Sequence, residues 1–227
     1  MAVTINLLYV IFLLAVVPVM AHHTARREEL LLLPRKSLYF SAVLSQWLLA
    51  LLTVLIVLFT SAPLAGVRAI AWGDFTRWTA GLLGASLAGI GLGLLLEGLG
   101  WWPEESALVR RLIPRTPGEK LWALFAVAPT AGVCEEFIFR GYLLPNLNNL
   151  THSIALAWAL SSIAFGLCHA YQNFSGAARA TLLGALLAAP VVFVHSLYPA
   201  VAAHFLIDVA GLLWIGPASL KTVTSDN

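Results

Sequence analysis

The sequence predicts an all-α fold, a polytopic transmembrane helical bundle of about seven helices. Three observations carry this. Of the 227 residues, 60% are apolar and only 11% charged, where a soluble domain carries about 25% charged residues. The mean hydropathy is +0.87. The apolar residues fall in runs of roughly 20, the length a bilayer-spanning helix needs. The formal net charge of +2 is too small to imply a nucleic-acid partner, so the lipid bilayer is the partner that composition predicts.

Hydropathy marks seven segments, at about 2–21, 39–61, 79–98, 120–143, 153–175, 178–196 and 198–216. The first lacks a basic leading region and reaches spanning length, so it reads as a mature helix rather than a cleaved leader. The third contains Gly89 and Gly93 at GxxxG spacing, which predicts close approach of a neighbouring backbone. The last two are separated only by residues 196–199. Cys134 and Cys168 lie inside apolar segments, so no disulfide framework is implied.

Basic residues set the orientation. Arg26, Arg27, Arg35 and Lys36 follow the first segment, and Arg110, Arg111, Arg115 and Lys120 follow the third. Arg179 follows the fifth and Lys221 lies in the tail, whereas the alternate loops hold only Arg68 and Arg77. This bias predicts an N-terminus outside and a C-terminus in the cytoplasm. The Ala/Leu-rich composition suggests a bacterial source, hence the cytoplasmic (inner) membrane.

An ionisable residue within a membrane helix is costly and is a functional candidate by default. Eight pass that filter: Glu97, Glu135, Glu136, Arg140, His169, His195, His204 and Asp208. Glu136 and Arg140 are four apart, so they share a helix face and can pair. Glu135 is turned about 100° from Glu136 and lacks that partner, which leaves it free for chemistry. The plainer alternative is that all three glue helices together. Phe165 and His169 are also four apart, although a lone histidine on an apolar helix is usually a satisfied core residue. His204 and Asp208 share a third face, as an inert couple, an oriented acid–base histidine or a metal ligand pair. Together the groups place a carboxylate, two imidazoles and a further acid on three helices, enough to hold and activate a water molecule.

Three motifs, EExxxR (Glu135, Glu136, Arg140), FxxxH (Phe165, His169) and HxxxN/D (His204, Asp208), occur here in the order that marks the CPBP family of CAAX prenyl endopeptidases and bacteriocin-processing enzymes. The chain resembles that family over about residues 120–216. The resemblance implies a CPBP-like catalytic core there, N-terminal transmembrane helices and loops over 1–119, and a cytoplasmic tail over 217–227. It implies an intramembrane endopeptidase acting on a membrane-associated protein or peptide. Glu135 would be the general base, and His169 would position the attacking water. His204 and Asp208 would stabilise the oxyanion, with Glu136, Arg140 and Phe165 in support. Asp208 stands where asparagine is commoner, so it must be protonated, orient His204 or help bind a metal.

The expected mechanism needs no cofactor. The alternative is Zn²⁺ held by one glutamate and two histidines, although there is no HExxH and no compact ligand spacing. The substrates open to the family are a CAAX tail, a leader peptide or, in the myxosortase type, a C-terminal sorting tag. Competing readings are a non-catalytic peptide-binding scaffold or self-immunity protein, and a transporter. The intact Glu135, His169 and His204 argue against the first, and the lack of an internal repeat against the second.

Depth counted from the outer helix ends puts Glu135 at roughly 12 Å, His204 at roughly 9 Å and His169 at roughly 20 Å. Tilt or a broken helix is therefore needed to bring the three together. The polar stretch 145–149 is expected to form a rim on the outer side.

Overall fold

The computed structural model describes residues 1–103 and 106–217, and within these the chain is helical with no strand beyond a single bridge between Val67 and Ser196. The main helices are α1 (Ala2–Thr24), α2 (Arg35–Thr60), α3 (Trp72–Gly98), α4 (Pro117–Thr151), α5 (Ile154–Cys168), α6 (Asn173–Val194) and α7 (Tyr198–Ile215). All but α5 are long and apolar enough to cross a membrane. The protein is an all-α, polytopic integral membrane protein. The predicted tail from residue 218 on, with Lys221, lies outside the described residues.

Local chemistry sets the helix ends. A capping box between Thr116 and Glu119 starts α4, satisfying backbone donors that the first turn leaves free. The Ser153 hydroxyl accepts from Leu156 N at the start of α5. Left-handed residues stop three helices: Ser61 after α2, His152 after α4 and His195 after α6. Large apolar side chains such as Leu48, Leu58, Phe59, Leu95, Phe125 and Leu182 point outward, as helices solvated by lipid require.

The α-helical ladder widens to π geometry at 12–16, 123–127, 137–143 and 211–215. Each of these segments is followed two residues later by a proline, namely Pro18, Pro129, Pro145 and Pro217. Proline has no N–H, and its ring clashes with the carbonyl four residues back, so the preceding turn loosens. The remaining described π segment, 131–135, has no proline behind it and ends on Glu135.

Helix α4 runs through the core. Ile138, Tyr142, Leu143 and Leu147 pack with Tyr9 and Leu13 of α1, Ala50 of α2, and Ala157 and Phe165 of α5. A second cluster joins Leu82 of α3 and Leu187 of α6 to Ala200, Ala203 and Ile207 of α7. A Cβ at Gly132 would lie 3.1 Å from Val201 O and 3.2 Å from Phe205 N, so this glycine lets the α7 backbone reach α4. At Gly166 a Cβ would fall on Thr181 Oγ1 and lie 2.6 Å from Ala177 O, so α5 and α6 cross here nearly backbone to backbone. Gly166→Ala is expected to lower stability by about 1–3 kcal/mol, as overpacking does, measurable as a lower thermal midpoint in detergent.

Three expectations need correction. The segment predicted at 153–175 ends at Cys168, and α6 begins at Asn173 instead of 178. Asn173 has φ 75°, and its side chain accepts from Ser175 Oγ and Gly176 N, a local start signal within the mixed polar and apolar stretch 169–175. The expected rim at 145–149 is helical, because Asn146 is buried and bonds to Asn6, to Tyr142 O and to Pro63 O. The Gly89–Gly93 spacing makes no close crossing: a Cβ at Gly89 meets nothing, and one at Gly93 meets only Arg179 Cδ at 3.9 Å.

One end of the bundle gathers the basic segments. Arg35 donates to Arg111 O, Arg111 to Leu33 O and Tyr39 to Leu112 O. Ser106 donates to Tyr171 O at 3.1 Å, bringing the turn after α5 to the same end.

Candidate active site

The site is built on the two π segments that flank Glu136 in α4. Wider turns rotate less per residue than an α-helix, and such bulges recur at functional sites. Glu135 and Glu136, at the junction of these segments, both face His204 of α7. Glu136 Oε1 lies 2.8 Å from His204 Nδ1 and 3.1 Å from Arg140 Nη1.

The pair predicted between Glu136 and Arg140 is present, with their side chains only 0% and 1% exposed. Arg140 also donates to Gly184 O at 3.1 Å, and its guanidinium lies 4.2 Å above the centre of the Phe165 ring. This buried cation is therefore met by a carboxylate, a carbonyl and a π-system, the kind of compensation that a charge away from water requires. Phe165 is fully enclosed and also meets the His169 ring at 4.6 Å and the His204 ring at 6.0 Å.

Glu135 has two different oxygens. Its Oε1 accepts from Gln46 Nε2 of α2 at 2.6 Å. Its Oε2 is buried without a hydrogen-bonding partner among the described residues. That oxygen faces His204 Nε2 at 3.8 Å and His169 Nε2 at 4.0 Å.

Both histidines are oriented from behind. His169 Nδ1 is 2.8 Å from Phe165 O; a carbonyl can only accept, so Nδ1 carries the proton and Nε2 is turned to Glu135. His204 Nδ1 is held in the same way by the Glu136 carboxylate. His169 reaches the level of Glu135 because α4 continues to Thr151. Glu135 sits 16 residues before that end, and His169, the C-cap of α5 with φ −96° and ψ 11°, sits 15 residues after Ile154. The depth mismatch is thus resolved by the greater length of α4, with α5 unbroken up to Cys168.

Asp208 Oδ1 stands 3.9 Å from His204 Nε2, too far for a hydrogen bond. Glu136, and not Asp208, therefore orients His204.

The fold brings Glu135, His169, His204 and Asp208 together, supported by Glu136, Arg140 and Phe165. It leaves two other ionisable candidates elsewhere. Glu97 pairs with Arg179 at 3.0 Å, and His195 ends α6 in left-handed geometry. Cys134 is buried and Cys168 half-buried, and both are free thiols. Gln46 escaped the sequence reading because a filter for ionisable groups passes over a neutral amide. The available signal was an amide inside an otherwise apolar spanning segment. Among the described residues, no group of three or more His, Cys, Asp or Glu is arranged to hold a metal ion.

Residues 117–210 match the family model described as Type II CAAX prenyl endopeptidase Rce1-like. No curated protein and no solved structure matches the chain significantly. The matched stretch covers α4 to the end of the motif on α7 and includes all three motifs read from the sequence. Six candidate membrane spans, the ordered motifs and this match lead to one conclusion: over residues 117–210 this integral membrane protein carries a domain similar to the CPBP family, a family of proteases.

Proposed function

We propose that the protein is an intramembrane endopeptidase that hydrolyses a peptide bond in a membrane-associated precursor, using a water activated by Glu135. The observation that carries this is the free, buried Oε2 of Glu135, facing two histidine Nε2 atoms at 3.8 and 4.0 Å. A water bound to Oε2 at about 2.8 Å also comes within reach of both imidazoles.

Glu135 takes a proton from that water as its oxygen attacks the scissile carbonyl, then returns the proton to the leaving amine. His169, its Nδ1 proton engaged by Phe165 O, accepts from the same water and aligns it. In its protonated form His204 donates from Nε2 to the oxyanion, with Asp208 beside it at the more open side of the site. The proposed chemistry needs no metal: Oε1 of Glu135 is taken by Gln46, and Oε1 of Glu136 by Arg140 and His204. This leaves Glu136 Oε2 as a second buried oxygen without a partner among the described residues. The basic end of the bundle supports an N-terminus outside and a C-terminus in the cytoplasm.

The test is incubation of the purified protein with tagged precursors of three classes: a prenylated CAAX tail, a leader peptide and a C-terminal sorting tag with its membrane anchor. The expected result is cleavage of one class at a single bond. Stable binding of a precursor that is never cut would replace the reading with that of a peptide-binding scaffold.

A further inference from the structure

The matched domain begins at residue 117, yet one contact to Glu135 comes from far outside it. We infer that Gln46 of α2 is a positioning residue for Glu135, its amide holding Oε1 so that Oε2 is the oxygen presented to the two histidines. This rests on Glu135 being the base, and it extends the working site to a fourth helix from the N-terminal part of the chain.

The argument starts from cost. An amide inside a membrane span must find a hydrogen-bond partner or forfeit several kcal/mol. The neighbours of Gln46 on α2 include Leu44, Leu48, Leu51 and Leu52, all turned outward, while Ala50 and Thr53 face the bundle. The surroundings of Gln46 on its own helix are therefore apolar and, among the described residues, supply it no side-chain partner. The amide bonds to Glu135 Oε1 at 2.6 Å.

An amide N–H can only donate, and a carboxylate only accepts. With Oε1 occupied as an acceptor, a proton leaving the water goes to Oε2. The bond also restrains the terminal torsion of Glu135, which is broad and weakly fixed in a free carboxylate. The neighbouring Trp47 Nε1 donates to Thr130 Oγ1 at 3.0 Å. It is a second polar contact between α2 and α4 that does not touch Glu135, and so provides an internal control.

The experiment compares the full-length wild type with Gln46→Met, Trp47→Phe and Glu135→Gln on the precursor that the wild type cleaves. A misplacement of about 1 Å at a reacting group costs on the order of 10²-fold. Gln46→Met is therefore expected to lower kcat by about that factor with KM unchanged, while Trp47→Phe keeps the wild-type kcat. Equal losses in both variants would reduce Gln46 to a docking contact between helices and overturn the inference. So would an unchanged kcat in Gln46→Met, or a raised KM with kcat intact, which would make Gln46 a substrate contact. Wild-type cleavage by Glu135→Gln would instead show that the base itself is misassigned, whatever Gln46→Met does.

Discussion

Glu135→Gln is expected to stay folded and to lose hydrolysis by at least the 10²–10⁴-fold that a general base typically contributes. Glutamine keeps the length and shape of the side chain. Its carbonyl oxygen can still accept from Gln46 Nε2, which now bonds to Glu135 Oε1. What disappears is the atom facing His169 and His204: an amide neither takes a proton from water at neutral pH nor returns one to the leaving amine. The loss should appear in kcat, with precursor binding and thermal midpoint close to wild type. A folded variant with diminished binding and unchanged kcat would move Glu135 from chemistry to recognition.

Arg140→Met is expected to have the largest effect on folding. It strands the Glu136 carboxylate, which is 0% exposed, and also removes the contacts to Gly184 O and the Phe165 ring. Breaking one side of a buried ion pair costs about 3–5 kcal/mol, a large fraction of the roughly 5–15 kcal/mol that keeps an ordinary protein folded. The variant should accumulate poorly or melt well below wild type. Replacing both charges, as Glu136→Met/Arg140→Met, should recover much of that stability, since apolar substitutes for a buried pair are often neutral. It should not recover activity, because His204 Nδ1 loses the carboxylate now 2.8 Å away. Wild-type melting of the Arg140→Met single variant would show that Arg140 does not hold the site together.

The membrane architecture was legible because lipid imposes one rule, about 20 apolar residues per crossing, and α1, α2 and α3 obey it. The Glu136–Arg140 pair was legible because a spacing of four survives from sequence to helix surface. The α5–α6 boundary was missed although His169, Gln172, Asn173 and Ser175 interrupt the apolar run there. Hydropathy over a window of about 20 residues averages over a break made by the φ of Asn173 and its side-chain bonds. Hydropathy also cut α4 short, reading Asn146 as solvent-facing when its amide bonds internally to Pro63 O and Tyr142 O. The roles around His204 were only half visible. Motif spacing suggested Asp208 as its partner, whereas the π turns bring Glu136 to its Nδ1. Gln46, 89 residues from Glu135, left no spacing signal at all.

The central claim is that Glu135 activates water directly, without a metal. Its most direct test is the cleavage rate of one precursor by wild type and by Glu135→Gln, each measured with and without a strong chelator. The account predicts that wild type cuts at the same rate in both conditions and that Glu135→Gln is inactive in both. Wild-type cleavage abolished by chelator and restored by Zn²⁺ would contradict it, and would recast Glu135, His169 and His204 as metal ligands.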